Sequence, residues 1–231
     1  MICPVAVEVK VLWRRVSDDP ALFDLLDQSE RERAARRSSP ARYVTAHALL
    51  RTGVGEWLGV APETVRFDRT CATCGSHRHG KPRVTGQPGL FVSLSYAGDL
   101  ALVALSGDGE VGVDVEELDE SDFDGFDIVT LDEVEVAALD ALDGEALRRA
   151  RAQVWARKES VLKASGHGLV VDPRQVIVTG PKEEPALVSW RGEHPLDGPV
   201  QLADVELGDP SHVAAVAVLA PDPLNLRVLS G

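Results

Sequence analysis

Two acidic residues in the segment GVDVE, residues 112–116, are spaced so that they could act together on a cation. Asp114 and Glu116 alternate with valines. Because side chains alternate in direction along a strand, both carboxylates are expected on one face and the valines on the other. Two neighbouring carboxylates repel each other unless a cation or solvent lies between them. The alternative interpretation is an edge strand with an acidic, solvent-facing side.

A second segment, WARKESVLKASGHGL at residues 155–169, adds a carboxylate and two ammonium groups. On a helix, Trp155, Glu159 and Lys163 fall on one narrow face, and Lys158 flanks it. A Glu–Lys pair at this spacing could simply stabilise the helix. Near a strand with two more carboxylates, however, the set favours a magnesium and pyrophosphate site, because Mg²⁺ prefers carboxylate and phosphate oxygens while lysines neutralise the remaining charge.

The elements that must position these residues can be predicted from periodicity and from Gly and Pro breaks. Helices followed by strands occur twice, in residues 1–108 and 109–231, which predicts an α+β fold of two similar halves. Helices are expected at 21–37, 41–58, about 131–142 and after Gly144, a hairpin at LFVSLSY and LALVALS, and further strands at VGVDVEEL, VIVTG, ALVSWRG and HVAAVAVLA.

Composition narrows the classes of function. The 231 residues carry a formal net charge of -13, which argues against a general basic surface for nucleic acid. Basic residues are concentrated at 31–37 and 148–163. These two runs are either local phosphate-binding sites or helix faces exposed to solvent. No apolar run reaches the roughly 18 residues of a membrane span, the first residues do not read as a signal peptide, and 3 cysteines do not suggest a secreted disulfide framework. We expect a cytoplasmic protein with no nucleic-acid or membrane partner.

The two segments together, in this order, resemble the paired signature of the 4'-phosphopantetheinyl transferases, of the larger pseudo-dimeric type that activates nonribosomal peptide and polyketide synthases. The similarity extends from about Arg31 to Val178. It implies Mg²⁺-dependent transfer of 4'-phosphopantetheine from coenzyme A to a serine of an apo acyl or peptidyl carrier protein, with release of 3',5'-ADP. It further implies a monomer with its active site in the cleft between the halves, of which the first mainly binds coenzyme A.

The resemblance assigns roles in the second half. Asp114, Glu116 and Glu159 would be the Mg²⁺ ligands, and Glu159 is also the candidate general base. Lys158 and Lys163 would hold the phosphates and stabilise charge on the departing ADP. Trp155 is interpreted as a packing residue.

The first half resembles the family in RFDRT, HGKPRV and ARYVTAHALLR. The first two segments suggest that Arg69, Lys81 and Pro82 lie around the 3'-phosphate and the adenine of coenzyme A. In the third, Arg42 is retained and His47 stands where an arginine is common. Above its pKa, a histidine donates to a phosphate more weakly than an arginine does. Arg51 is interpreted as an exposed helix arginine.

SLSYAGD departs from the Ser-His-Ser that the family usually has. Here the residues are Ser95, Tyr96 and Ala97, so a phosphate contact would rely on hydroxyl donors. The alternative is that Tyr96 is an ordinary strand aromatic. This departure supports the alternative function, a degenerate non-catalytic protein that binds coenzyme A or a carrier protein.

Two further motifs leave alternatives open. Cys71, Cys74, His77 and His79 could bind zinc in an interaction module, but their spacing is unlike that of zinc fingers, and a reduced thiol pair is the default interpretation. In SDFDGFDIV, the side chains of Phe123, Phe126 and Ile128 would either be exposed for carrier docking or be buried as a small cluster.

Overall fold

The computed structural model describes residues 6–71, 74–76, 80–120 and 123–231. Its mixture of helices and sheets confirms the predicted α+β class. The strands and α-helices are, in chain order, β1 (Val7–Arg15), α1 (Pro20–Asp24), α2 (Gln28–Ala34), α3 (Pro40–Leu58), β2 (Phe67–Asp68), β3 (Arg83–Val84), β4 (Phe91–Ala97), β5 (Leu100–Ser106), β6 (Val111–Glu117), α4 (Phe126–Thr130), α5 (Glu133–Leu139), α6 (Gly144–Ser165), β7 (Val176–Val178), β8 (Leu187–Trp190), β9 (Val200–Asp204), β10 (His212–Leu219) and β11 (Leu224–Ser230).

The first sheet has 6 strands in the order β11-β1-β5-β4-β3-β2. The predicted hairpin forms its centre, since β4 and β5 pair antiparallel around a turn in which Gly98 has φ 51. That left-handed conformation favours glycine because it has no Cβ. α3 packs against β5 and β4, where Leu50 and Val54 are fully buried.

The second sheet, in the order β6-β10-β9, is antiparallel and carries α6. The alternation predicted for β6 is present. Val111 and Val113 are fully buried in a core shared with Val9 and Leu102 of the first sheet. Asp114 belongs to the other alternate set and faces α6. The strand therefore separates an apolar face from a polar one.

Helix capping divides one segment that was predicted as a single helix. Within 21–37, the Asp27 side chain accepts from the Glu30 backbone N–H while the Glu30 carboxylate accepts from that of Asp27, so α2 starts anew. Asp132 and Glu135 form the same capping box at the start of α5, the helix that lies within the predicted 131–142, and α4 precedes that segment. A capping box satisfies backbone donors at a helix start, which favours a new helix over a continuous one.

The last strand crosses the division predicted at 108/109. β11 pairs parallel with β1, so residues 224–230 belong to the sheet of the first half. The long helix α3 packs on the first sheet, and the long helix α6 packs on the second. The division itself and the likeness of the halves stay predictions. Among the described residues, no helix is both long enough and apolar enough to cross a membrane.

Candidate active site

A glycine brings α6 close to the acidic strand. A Cβ at Gly112 would lie 1.9 Å from Ser160 O and 2.4 Å from Ala164 N, which are backbone atoms of the helix. Only glycine permits this approach without displacing the helix. Sequence analysis named Gly112 only as an alternating position, although a glycine within a strand signals close backbone approach.

The close approach joins three elements through hydrogen bonds. Lys163 Nζ of α6 lies 2.6 Å from Asp114 Oδ1 on β6 and 2.9 Å from Ser95 Oγ on β4. Ser95 donates to the same Asp114 oxygen at 2.7 Å. Asp114 is buried, and its other oxygen, Oδ2, has no hydrogen-bond partner among the described residues. Each half of the chain thus contributes to this cluster.

Charges around Asp114 shift the pKa values of the neighbouring groups. Burial, and then the charge of Asp114, raises the pKa of Glu116 to about 9 and that of Glu159 to about 7. Burial alone lowers the pKa of Lys163, but the charges of Asp114 and Glu159 outweigh it and raise that pKa above its ordinary value. Three ionised carboxylates beside one ammonium would carry a surplus of negative charge, which a cation can neutralise and which, without one, keeps Glu116 protonated at neutral pH.

The residues present fit a hard divalent cation. Asp114 Oδ2 and Glu159 Oε1 are both buried and both without a hydrogen-bond partner in the described part of the chain. Buried carboxylate oxygens are costly unless paired, and they are the ligand type that Mg²⁺ prefers. The arrangement can therefore hold a cation beside an ammonium donor and a base whose pKa is close to neutrality.

Lys158 points away from this cluster. Its side chain is fully buried, and its Nζ lies 2.5 Å from Glu135 Oε2 of α5. It also donates to the carbonyl oxygens of Pro173 at 3.0 Å and Val176 at 2.8 Å. With its donors used inside the second half, the prediction that Lys158 holds phosphate is wrong.

His47 belongs to a buried network around Glu30 of α2. The Glu30 carboxylate contacts Arg51 Nε at 2.7 Å, an Arg69 NH group at 2.8 Å and His47 Nδ1 at 3.4 Å. Burial lowers the pKa of His47 to about 4. A neutral, buried imidazole beside a carboxylate does not support the predicted phosphate contact of His47.

The same network corrects the interpretation of Arg51, which is fully buried rather than exposed. Its second carboxylate partner is Asp27, at 2.7 Å. Arg69 is largely buried and shares Glu30 and His47, so its nearest partners are protein groups.

The remaining residues predicted to bind coenzyme A lie at different depths. Lys81 contacts Glu110 at 2.5 Å and the Ala164 carbonyl of α6 at 3.2 Å, which puts it near the end of the site helix; Pro82 beside it is buried. Arg42 pairs with Glu120 at 2.7 Å at the surface. Tyr96 is half-buried and alternates with Ser95, so it faces away from Asp114.

The aromatic segment after β6 combines both interpretations. Phe126 is fully buried and meets Trp155 edge to face, with ring centroids 6.4 Å apart, in keeping with the packing role given to Trp155. Phe123 and Ile128 are instead 50% and 74% exposed.

The zinc hypothesis falls partly outside the described residues. Cys71 is half-buried and Cys74 is exposed, whereas His77 and His79 lie in the part of the chain that the structure does not describe. Zinc binding at this loop stays a prediction.

Comparison with known proteins bears on the same segments. The family profile described as the 4'-phosphopantetheinyl transferase superfamily matches residues 110–217. The chain is 32% identical over 170 residues, 68% of its length and 69% of the relative, to "4'-phosphopantetheinyl transferase HetI" of Nostoc sp.. It is 27% identical to a putative 4'-phosphopantetheinyl transferase of Synechocystis sp., over 72% of this chain and 68% of that one.

A third relative comes from a fungus, Eremothecium gossypii. Its L-aminoadipate-semialdehyde dehydrogenase-phosphopantetheinyl transferase is 32% identical, over 68% of this chain and 58% of its own length.

Proposed function

Because the chain belongs to the 4'-phosphopantetheinyl transferase superfamily, we propose that it transfers the 4'-phosphopantetheine arm of coenzyme A to a serine of an apo acyl or peptidyl carrier protein, releasing 3',5'-ADP. One observation carries this proposal. Asp114 Oδ2 and Glu159 Oε1 are buried without a hydrogen-bond partner among the described residues, and Lys163 Nζ lies 2.6 Å from the other oxygen of Asp114.

The three carboxylates would hold Mg²⁺. When bound, the ion would neutralise the charge of the pyrophosphate and stabilise the transferring phosphoryl group. The surplus of negative charge supports this assignment, because a protein that only bound an anionic ligand would be hindered by it.

Glu159 is proposed as the general base. The serine oxygen forms a bond to the phosphorus that carries pantetheine, while the bond from that phosphorus to the oxygen of 3',5'-ADP breaks. The serine proton passes to Glu159, a carboxylate whose buried Oε1 has no hydrogen-bond partner among the described residues. Lys163, which stays charged, donates to phosphate oxygens as negative charge develops on the departing ADP.

Residues of the first half are proposed to position coenzyme A. Arg42 and Lys81 would offer positive charge to the phosphates, and Arg69 would lie deeper in the protein than these two. Ser95 and Tyr96 would offer hydroxyl donors. Pro82 would contact the adenine. The site would lie in the cleft between two similar halves of a monomer.

The test is intact-mass measurement of a panel of apo carrier proteins incubated with this protein, coenzyme A and Mg²⁺. A carrier that gains one phosphopantetheine supports the proposal, and the gain should disappear with EDTA and in Glu159→Gln. The matched control is Glu145→Gln, which removes an exposed carboxylate from the same helix and should leave transfer intact.

If no carrier gains mass while calorimetry detects coenzyme A binding, the non-catalytic alternative is favoured. The altered Ser-Tyr-Ala is the feature that would then account for it.

A further inference from the structure

A second group of potential metal ligands lies where the β4–β5 turn meets the start of β10. Asp99 in the turn, Asp209 in the preceding loop and His212 at the first position of β10 have ligand atoms that all lie within 4.8 Å of one another. Within the described ranges, no other group of three such residues is this close. None of its members takes part in the proposed transfer reaction.

The orientation of His212 is fixed by its neighbours. Asp209 Oδ1 lies 3.1 Å from His212 Nδ1 and accepts from the backbone and side chain of Ser211 at 2.9 and 2.6 Å. His212 Nδ1 also lies 3.0 Å from Ser211 Oγ. Because Nδ1 is engaged by Asp209 and Ser211, Nε2 is the ring nitrogen left to bind a metal.

The other ring nitrogen, Nε2, is left unpaired within the described part of the chain. His212 is only 3% exposed, and its Nε2 is buried without a hydrogen-bond partner among the described residues. The nearest acidic oxygen is Asp99 Oδ1, at 3.7 Å. Buried polar atoms are rarely left unpaired, so an unpaired nitrogen aimed at a carboxylate indicates a missing ligand.

Glu117 faces the same space. It lies directly opposite His212 in the β6–β10 pairing. A Cβ at Gly98 would lie 2.6 Å from His212 Nε2 and 2.7 Å from Glu117 Oε1, so glycine lets the turn approach both atoms closely. Glu116 alternates with Glu117 and points to the opposite face, which separates this cluster from the Asp114 site.

We propose that His212 Nε2 and Asp99 bind a second cation at this cluster, a divalent transition metal such as Zn²⁺. Imidazole nitrogen with carboxylate oxygens suits Zn²⁺ better than Mg²⁺, which prefers oxygen ligands throughout. The Asp209 carboxylate is a positioning group that acts through His212, as in carboxylate–histidine–zinc arrangements. A groove lined in part by Asp209 and His212 lies beside the cluster.

Arg15 currently supplies the positive charge near this site. Its guanidinium contacts both Asp99 and Asp209, the latter at 2.6 Å, and its side chain is 58% exposed. An exposed ion pair contributes little free energy, so an entering cation can displace it. This competition gives the proposal a directional test, because removing Arg15 should strengthen metal binding.

The experiment is a Zn²⁺ titration of the full chain against a chromophoric chelator. We expect Asp99→Asn and His212→Gln each to weaken one zinc equivalent at least about tenfold, and Arg15→Met to tighten it. Excess Mg²⁺ should not compete at this equivalent. Asp222→Asn, which removes an exposed carboxylate from a distant turn, should bind as the unmodified protein does.

Zinc bound instead at the Asp114 site would be lost in Asp114→Asn and retained in Asp99→Asn, so the two sites can be told apart. Wild-type zinc affinity in Asp99→Asn would overturn the proposal. Asp99 is exposed, so this variant decides the matter even if circular dichroism shows that His212→Gln does not fold.

Discussion

Two buried clusters in this protein both combine carboxyl groups with basic groups, and they differ in the balance of charge. Around Glu30, two carboxylates meet the guanidinium groups of Arg51 and Arg69, all by contacts of 2.7–2.8 Å. Around Asp114, three carboxyl groups share the single ammonium of Lys163. Although burial alone raises the pKa of Glu30, His47 and Arg51 lower it to about 2, whereas that of Glu159 rises to about 7.

The difference separates a structural role from a functional one. A balanced cluster has its charges compensated within the protein and needs no ligand. An unbalanced cluster is costly when fully ionised, and the cost is offset by protonation of a carboxyl group or by a bound cation. Burial and composition alone do not distinguish the two clusters, because both contain buried acids beside basic groups.

The largest expected effect is on the balanced cluster. Arg51→Met should lower the free energy of unfolding by about 3–5 kcal/mol, because Glu30 is left as a buried, under-compensated charge. Urea unfolding followed by circular dichroism measures this.

The control for that variant is Arg42→Met, which breaks the exposed pair with Glu120 and should cost less than about 1 kcal/mol. Equal losses in the two variants would contradict the role given to the Glu30 network.

The second largest effect is expected on transfer activity, when a residue of the Asp114 cluster is replaced. Asp114→Asn should reduce phosphopantetheine transfer more than about 100-fold, since a proposed metal ligand is lost. The free energy of unfolding should stay within about 1 kcal/mol, because the change removes one charge from a surplus.

Transfer is measured from the mass of the carrier protein, and the free energy of unfolding is measured by urea unfolding. Asp119→Asn provides the matched control, since it removes an exposed carboxylate just beyond the same strand. Full activity in Asp114→Asn would refute the assignment of this residue.

A third prediction uses pH. His47 has a pKa lowered by burial to about 4 from the model-peptide value of 6.5, so the folded state binds fewer protons than the unfolded state between these values. Its contribution to stability is therefore complete above pH 6.5 and lost as the pH falls toward 4, by about 1–3 kcal/mol.

Urea midpoints measured across this window test the sign. His47→Gln should flatten the dependence, while His194→Gln, which removes an exposed histidine, should keep it. A stability that rises on acidification in this window would show that the Glu30 network does not hold His47 neutral.

The smallest effect is that of Mg²⁺ on stability. At ten times its dissociation constant, Mg²⁺ should raise the free energy of unfolding by about 1.4 kcal/mol, because it binds only the folded site. The increase should vanish in Asp114→Asn and persist in Arg42→Met. An equal increase in both variants would place the stabilising ion elsewhere.

The parts of the site that the sequence predicts are those with local periodicity. Alternation in GVDVE is enough to put Asp114 and Glu116 on one face of β6, and helical spacing puts Glu159 and Lys163 on one face of α6. The valines between the acidic residues identify the strand, and Gly166 marks the end of the helix.

Lys158 illustrates what local pattern cannot supply. It neighbours Glu159 in sequence, but its direction is decided by Glu135 and by two carbonyls that lie in other segments. His47 and Arg51 likewise depend on α2, whose start is set by its capping box. Each of these errors follows from tertiary partners that no spacing within one element reveals.

The parallel pairing of β11 with β1 has a consequence for how the chain is made. Glu8 and Asn225 are hydrogen-bonded although 217 positions separate them. While the protein is being translated, β1 leaves the ribosome long before its outer neighbour exists. One edge of β1 is thus unpaired for most of synthesis, when it can recruit strands of other nascent chains. The yield of native protein should therefore depend on chaperone protection of the nascent chain as well as on its final stability.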